Sequence, residues 1–258
     1  MKKLISLFFI ISLFLIGFTA CEQTDEPGGI PGMGDTPGEL EISEPFTPPE
    51  GITIDLEGLE ETTLEDVFST EAYLKSVNGR RRIKGCGGSK HKGKLKIWIN
   101  VKLSVQNTGN TKKCFTIPCG TVFKVSNPQA QNGIVISPIK LCVDKRSRCD
   151  YSLWLMCLNK GKDGSSMNVT YKIVGVTASK PIWNILRYVK RKKCNIEWYA
   201  NFEPNAKLKT VSEAGDLETY SDIADHIQNA IWQITNEGKD LSEEQISYFE
   251  SLPDAPEE

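Results

Sequence analysis

Leu95-Lys96-Ile97-Trp98-Ile99-Asn100-Val101-Lys102-Leu103-Ser104-Val105-Gln106 decides the reading of this chain. Leu95, Ile97, Ile99, Val101, Leu103 and Val105 fall on one side of a two-residue period. Lys96, Trp98, Asn100, Lys102, Ser104 and Gln106 fall on the other. Such alternation predicts a strand with one buried and one wet face. The turn Asn107-Thr108-Gly109-Asn110 follows it. Further strands are expected over 113–125, 133–143, 148–158 and 168–176. Turn chemistry separates them, at Asn127-Pro128, Asn132-Gly133, 144–147 and 161–165. No helix-length pattern interrupts the series, so 51–180 reads as an antiparallel β-sandwich domain.

Beyond it, residues 181–258 read as helical and packed on the sandwich. Ile182, Ile185, Leu186 and Val189 recur at helical spacing behind Ser179 and Pro181. A second helix carries Ile223, Ile227, Ala230, Ile231 and Ile234 and ends near Gly238. Ser242 and Gln245 form a capping box for a third. Ahead of the alternating stretch, 62–77 has the apolar spacing of a short helix.

The N-terminus reads as an export signal. Met1-Lys2-Lys3 is positive, 4–18 is apolar and uncharged, and Thr19-Ala20 are small. The run is short for a membrane span. Phe18-Thr19-Ala20-Cys21 resembles the lipobox of bacterial lipoprotein signal peptides, with Phe18 where Leu is usual. That resemblance implies removal of 1–20 and acylation of Cys21. The acidic stretch Glu22-Gln23-Thr24-Asp25-Glu26 resembles a sorting signal for the outer face of the outer membrane. The expected location is the cell outer membrane, lipid-anchored and surface-exposed. Residues 21–50 are acidic and rich in Gly and Pro, and are expected to be a disordered tether.

Eight cysteines occur, and seven remain once Cys21 is set aside. An exported domain uses such residues for disulfides. Cys142 and Cys149 sit symmetrically about 144–147, so a hairpin there would bring them opposite each other. An odd thiol is left over. Cys157, in Leu155-Met156-Cys157-Leu158-Asn159, and the helix Ile227-Gln228-Asn229-Ala230-Ile231-Trp232 together resemble motifs of bacterial surface thioester domains. Those domains join a Cys to a Gln and acylate host amines. The resemblance implies a reactive thiol at Cys157. Met156 and Ile227 depart from the family's aromatic or Leu and from its Thr. Neither Gln131 nor Gln245 is well placed by sequence to be the partner. Ile227, Ala230 and Ile231 also have a plain reading as helix core.

A formal net charge of −2 conceals three blocks. Residues 22–72 hold 15 acids and no Lys or Arg, 73–209 carry a net +23, and 210–258 a net −12. Arg80, Arg81, Arg82, Lys84, Lys90, Lys92 and Lys94 form one basic cluster. Lys145, Arg146 and Arg148 form another on the expected hairpin tip. Lys190, Arg191, Lys192 and Lys193 close the first helix, where cations also suit the macrodipole. Such clusters bind phosphates, sulfates or uronates. They are equally neutralised when acidic ends fold onto a basic middle. The Gly-rich run at 85–93 lacks the order of a phosphate-binding P-loop.

Two histidines, His91 and His226, sit in no triad pattern, and no CxxC pair suggests zinc. Neither a metal nor a cofactor is expected, nor an enzyme. The expected role is a non-enzymatic binding or adhesion module, with an anionic glycan as partner and intracellular nucleic acid disfavoured. Two alternatives stand beside it. One is a covalent adhesin using Cys157. The other is a structural or protective envelope subunit that binds another protein.

Overall fold

A computed structural model describes residues 27–59, 62–63, 82–85, 89–91, 94–97, 99–195, 198–199 and 210–255. The fold is mainly β. In chain order the strands are β1 (Ile42–Pro45), β2 (Ile52–Leu59), β3 (Thr62–Thr63), β4 (Arg82–Gly85), β5 (Ser89–His91), β6 (Lys94–Ile97), β7 (Ile99–Asn107), β8 (Lys113–Ile117), β9 (Thr121–Val125), β10 (Gly133–Ile134), β11 (Ile139–Val143), β12 (Ser147–Cys157) and β13 (Tyr171–Thr177). The helices are α1 (Lys180–Val189), α2 (Thr210–Thr235) and α3 (Glu243–Ser251). The main antiparallel sheet runs β1-β13-β9-β10-β12-β7-β2, with β4 added in parallel to β12. β8 and β11 form a small second sheet, and β3, β6 and β5 a third.

The alternating stretch is two strands, since 95–97 falls in β6 of the third sheet and only 99–105 lies in the main sheet; of its expected wet face, Asn100 and Ser104 are buried. Ile99, Val101, Leu103 and Val105 are wholly buried. They share a core with Leu153, Leu155 and Cys157 of β12 and with Phe115, Ile117, Ile139, Leu141 and Val143 of the second sheet. The two sheets therefore enclose one apolar layer. β12 is buried on its other face too, where Trp154, Met156 and Leu158 meet the helices. A strand covered on both sides needs a continuous apolar run rather than alternation, and 153–158 is one.

Two expected strands are each two strands. The stretch 113–125 breaks at Pro118-Cys119-Gly120, and 133–143 breaks near Ser137-Pro138. Proline cannot donate to a ladder. At each break the chain leaves one sheet for the other, since β9 and β10 lie in the main sheet and β8 and β11 in the second. Gly120, at φ +83°, makes the first corner and packs against Trp183 and Leu186.

α1 begins as read, with Ser179 accepting from the Ile182 N–H and burying Ile182, Ile185, Leu186 and Val189. α3 has its capping box at Ser242 and Gln245. The helix expected over 62–77 lies outside the described residues, apart from β3.

The tether needs correction. From residue 27 onward the acidic Gly/Pro segment is a strap on the domain. Ile30 and Met33 are buried in the helix-facing core. Gly28 N–H donates to Ile234 O (2.7 Å) and Gly34 N–H to Leu158 O (2.8 Å). Asn159 Nδ2 donates to Gly34 O (2.9 Å). β1 then pairs with β13. Sparse apolar residues are thus joined by backbone hydrogen bonds in holding the strap.

Candidate functional site

The two motifs around Cys157 and Gln228 meet. β7 pairs with β12 only as far as Leu155, opposite Ile99. Cys157 lies beyond that ladder. Its N–H donates to Gln228 Oε1 (2.7 Å), and Gln228 Nε2 donates back to Cys157 O (2.9 Å). Gln228 is wholly buried. A side-chain amide on α2 thus fills the ladder position that a neighbouring strand would take.

The Cys157 side chain points the other way, into the core between the sheets, beside Ala130, Val169 and Tyr171. Burial holds its thiol well above the ordinary range. Burial and the adjacent Cys157 push the Tyr171 phenol up as well. The Tyr171 hydroxyl donates to Gln131 O (3.4 Å). Gln131 is buried, and its Nε2 donates to Lys162 O (3.0 Å). Its Oε1 accepts no hydrogen bond from any described residue. Gln131 thus meets Tyr171 through its backbone carbonyl, while its side-chain amide lies against Lys162. Gln245 is spent on the α3 cap and on Gln233 (3.0 Å).

A second site forms at the opposite end of the sheet. Asn107, at 0% exposure, is its hub. Its two Nδ2 hydrogens reach three carbonyls, Thr111 O (2.8 Å) and the adjacent Val143 O (3.1 Å) and Asp144 O (3.2 Å). Its Oδ1 accepts from Gly109 N–H (2.9 Å). One amide thereby locks the β7–β8 turn to the β11–β12 turn. Arg146 N–H donates to Gly109 O (3.1 Å), and its Nε to Asn110 Oδ1 (2.8 Å). Arg146 has φ +49°, a left-handed backbone that non-glycine residues adopt at a cost. The result is a fixed pole carrying Lys112, Lys113, Lys145 and Arg146. Lys112, Lys145 and Arg146 are exposed, and Lys113 is half-buried and donates to Glu50 O. Lys112 and Lys113 join this pole only through the fold. Their approach is set by Asn107, which reads as an ordinary turn residue.

Arg148 does not belong to the free pole. It faces Asp150 (3.5 Å) and Asp55 (3.9 Å). Burial alone would raise the Asp150 carboxyl, but the Ser104 hydroxyl, Lys102 and Arg148 outweigh it and hold it below the ordinary value. Of the other basic candidates, Arg82 and Lys84 lie on β4, Lys90 on β5 and Lys94 on β6. Arg80, Arg81 and Lys92 fall outside the described residues, as does Cys21. Lys192 pairs with Asp254 (2.9 Å), while Lys190 and Lys193 lie over Trp183 and Tyr199.

The expected Cys142–Cys149 bridge is not formed. Cys142 bonds to Cys114. The turn 144–147 links strands of different sheets, so it is no same-sheet hairpin. β11 pairs with β8, which sets Cys142 opposite Cys114, while Cys149 stands opposite Val105 on β7. His226 stacks on Tyr248 (4.0 Å) at the surface of α2.

A groove of about 510 Å³ opens between β2 and β13, lined by Phe46, Ile54, Leu56, Tyr171 and Ile173. Asp55 and Glu57 on its rim engage Arg148 and Lys102, so its charge does not suit an anion.

No family model, no curated protein and no solved structure matches the chain.

Proposed function

We propose that the chain is a lipid-anchored envelope protein that works without catalysis, binding an anionic glycan through the pole of Lys112, Lys113, Lys145 and Arg146. The observation that carries this reading is Asn107. One buried amide, in contact with four backbone groups, holds two turns in a fixed relation, and those turns and the strand start beside them present four cations and one acid, Asp144. A rigid cationic surface recognises sulfates or uronates without an ordering cost on binding. The strained Arg146 backbone fits the same role, since its guanidinium is aimed by Asn110.

The test is a salt series of full-length chain, in detergent, on a sulfated polysaccharide and a polyuronate. Retention that falls steeply with salt is expected, and Lys145→Glu with Arg146→Glu weakens it about tenfold or more. The same reversal at Lys160 and Lys162, at the other end, changes it about twofold at most. Retention unmoved by the polar pair, or none by the folded wild type, would overturn the reading.

A second reading keeps the covalent adhesin. It is favoured by buried Gln131, whose Oε1 has no partner among the described residues and whose backbone carbonyl takes the hydroxyl of Tyr171, a neighbour of Cys157. In it, Cys157 Sγ bonds to Gln131 Cδ, the Cδ–Nε2 bond breaks, and ammonia leaves. Intact mass then falls by about 17 Da, and methylamine restores an amide. A mass showing only disulfide losses rejects it.

A further inference from the structure

Cys119 and Cys194 flank one short stretch of chain from two different elements. Cys119 sits in the turn between β8 and β9, and Cys194 lies five residues past Val189, the last of α1. Both are buried, at 7% and 1% exposure, in the core that the sheet shares with the helices. The stretch 136–138 connects their surroundings. Cys119 Sγ donates to Ile136 O (3.1 Å). Ser137 Oγ donates to Lys190 O (3.3 Å), and Asn195 Nδ2 donates to Pro138 O (3.4 Å). Cys194 Sγ itself lies on Val189 O (3.7 Å). Gly120, next to Cys119, packs on Leu186 of α1. The turn bearing one thiol and the segment bearing the other are thus held together from both sides.

We propose that Cys119 and Cys194 close into a second disulfide when the chain folds in an oxidising compartment. Two S–H bonds break and one S–S bond forms. Two protons leave, and two electrons pass to the disulfide of an exchange partner such as oxidised glutathione, which becomes two thiols. Timing follows from burial, which pushes both thiols up to about 12 once the core has closed. Thiolate is then scarce and access poor, so the bond forms during folding and only slowly afterwards. It fastens the end of α1 to the strand layer across a loop of about 75 residues, which is the span where a cross-link restrains the unfolded chain strongly.

The full-length chain, refolded from denaturant in a glutathione redox buffer, is alkylated unfolded and its peptides are mapped by mass. Peptides joined through Cys119 and Cys194 are expected beside those joined through Cys114 and Cys142. In a Cys114→Ser, Cys142→Ser chain, oxidation should still remove about 2 Da and raise Tm by about 5–10 °C. Cys119 and Cys194 both found alkylated, or either joined to Cys86, Cys149 or Cys157, would overturn the proposal. The wild-type map decides alone if the double variant does not fold.

Discussion

Gln228 and Asn107 do the same job at opposite ends of the sheet. Each is a fully buried amide that satisfies backbone groups which no strand reaches. Gln228→Leu keeps the shape but strands the Cys157 N–H and C=O, so a loss of about 2–4 kcal/mol is expected in denaturant unfolding. A loss under about 1 kcal/mol would mean the amide is incidental. Cys157 supplies a pH dependence. Its folded thiol is raised by burial, so the stability it contributes is full below the unfolded thiol value and drains as pH rises beyond it. Above about pH 9 the unfolded chain releases a proton that the folded chain keeps, a slope of about 1.4 kcal/mol per pH unit. Cys157→Ala should flatten the alkaline limb by that amount, and an unchanged limb would show the thiol ionising in the folded state. Neither amide was legible in the sequence. A polar residue in an apolar period reads as wet face or turn, and Gln228 meets Cys157 from 71 positions away.

Elements were far more legible than contacts. The alternation at 99–105 and the caps at Ser179 and Ser242 are local signals, and the chain obeys them. What local pattern does not carry is which sheet a strand joins. Pro118 follows one strand and Pro138 precedes another by chemistry readable in advance, yet at each corner the chain passes into another layer. That exchange moved the disulfide from the adjacent Cys149 to Cys114, 28 residues from Cys142. The strap failed for a related reason. Composition predicts disorder where few apolar groups exist, but Ile30 and Met33 together with backbone hydrogen bonds suffice against a preformed surface. Cys114→Ser should therefore cost about 3 kcal/mol in thermal or denaturant unfolding under oxidising conditions. Cys149→Ser, half-buried at the edge of the core, should cost clearly less. Equal costs would contradict the pairing seen across β8 and β11.

At the scale of the molecule the three charge blocks fold together. From the acidic N-terminal block, Glu39 meets Lys124, Asp55 meets Arg148 and Glu57 meets Lys102. From the C-terminal block, Glu237 meets Lys160 and Asp254 meets Lys192. Each such exposed pair is weak alone, but their distribution is uneven. Among the described residues, acidic partners pair with cations on the flanks, while the Asn107 pole carries four cations against the single acid Asp144. That pole has a direction. Gly28, bonded to Ile234, lies with Leu158 at the end of the sheet where β12 finishes, and Asn107 lies at the other end of β7. Nine residues of strand separate the ends by about 27 Å. With the proposed acyl group on Cys21, the seven steps to Gly28 reach at most about 25 Å even when fully extended. On that proposal, a domain strapped from residue 27 would sit close to the lipid with α2's C-terminal end inward and the basic pole outward. Fluorophores on Lys239→Cys and Lys145→Cys would report this in vesicles carrying a headgroup quencher, against the wild-type labelling background. Strong quenching at 239 and little at 145 is expected. Equal quenching at both would mean that the domain tumbles on a free tether, and the outward-facing pole would lose its geometric basis.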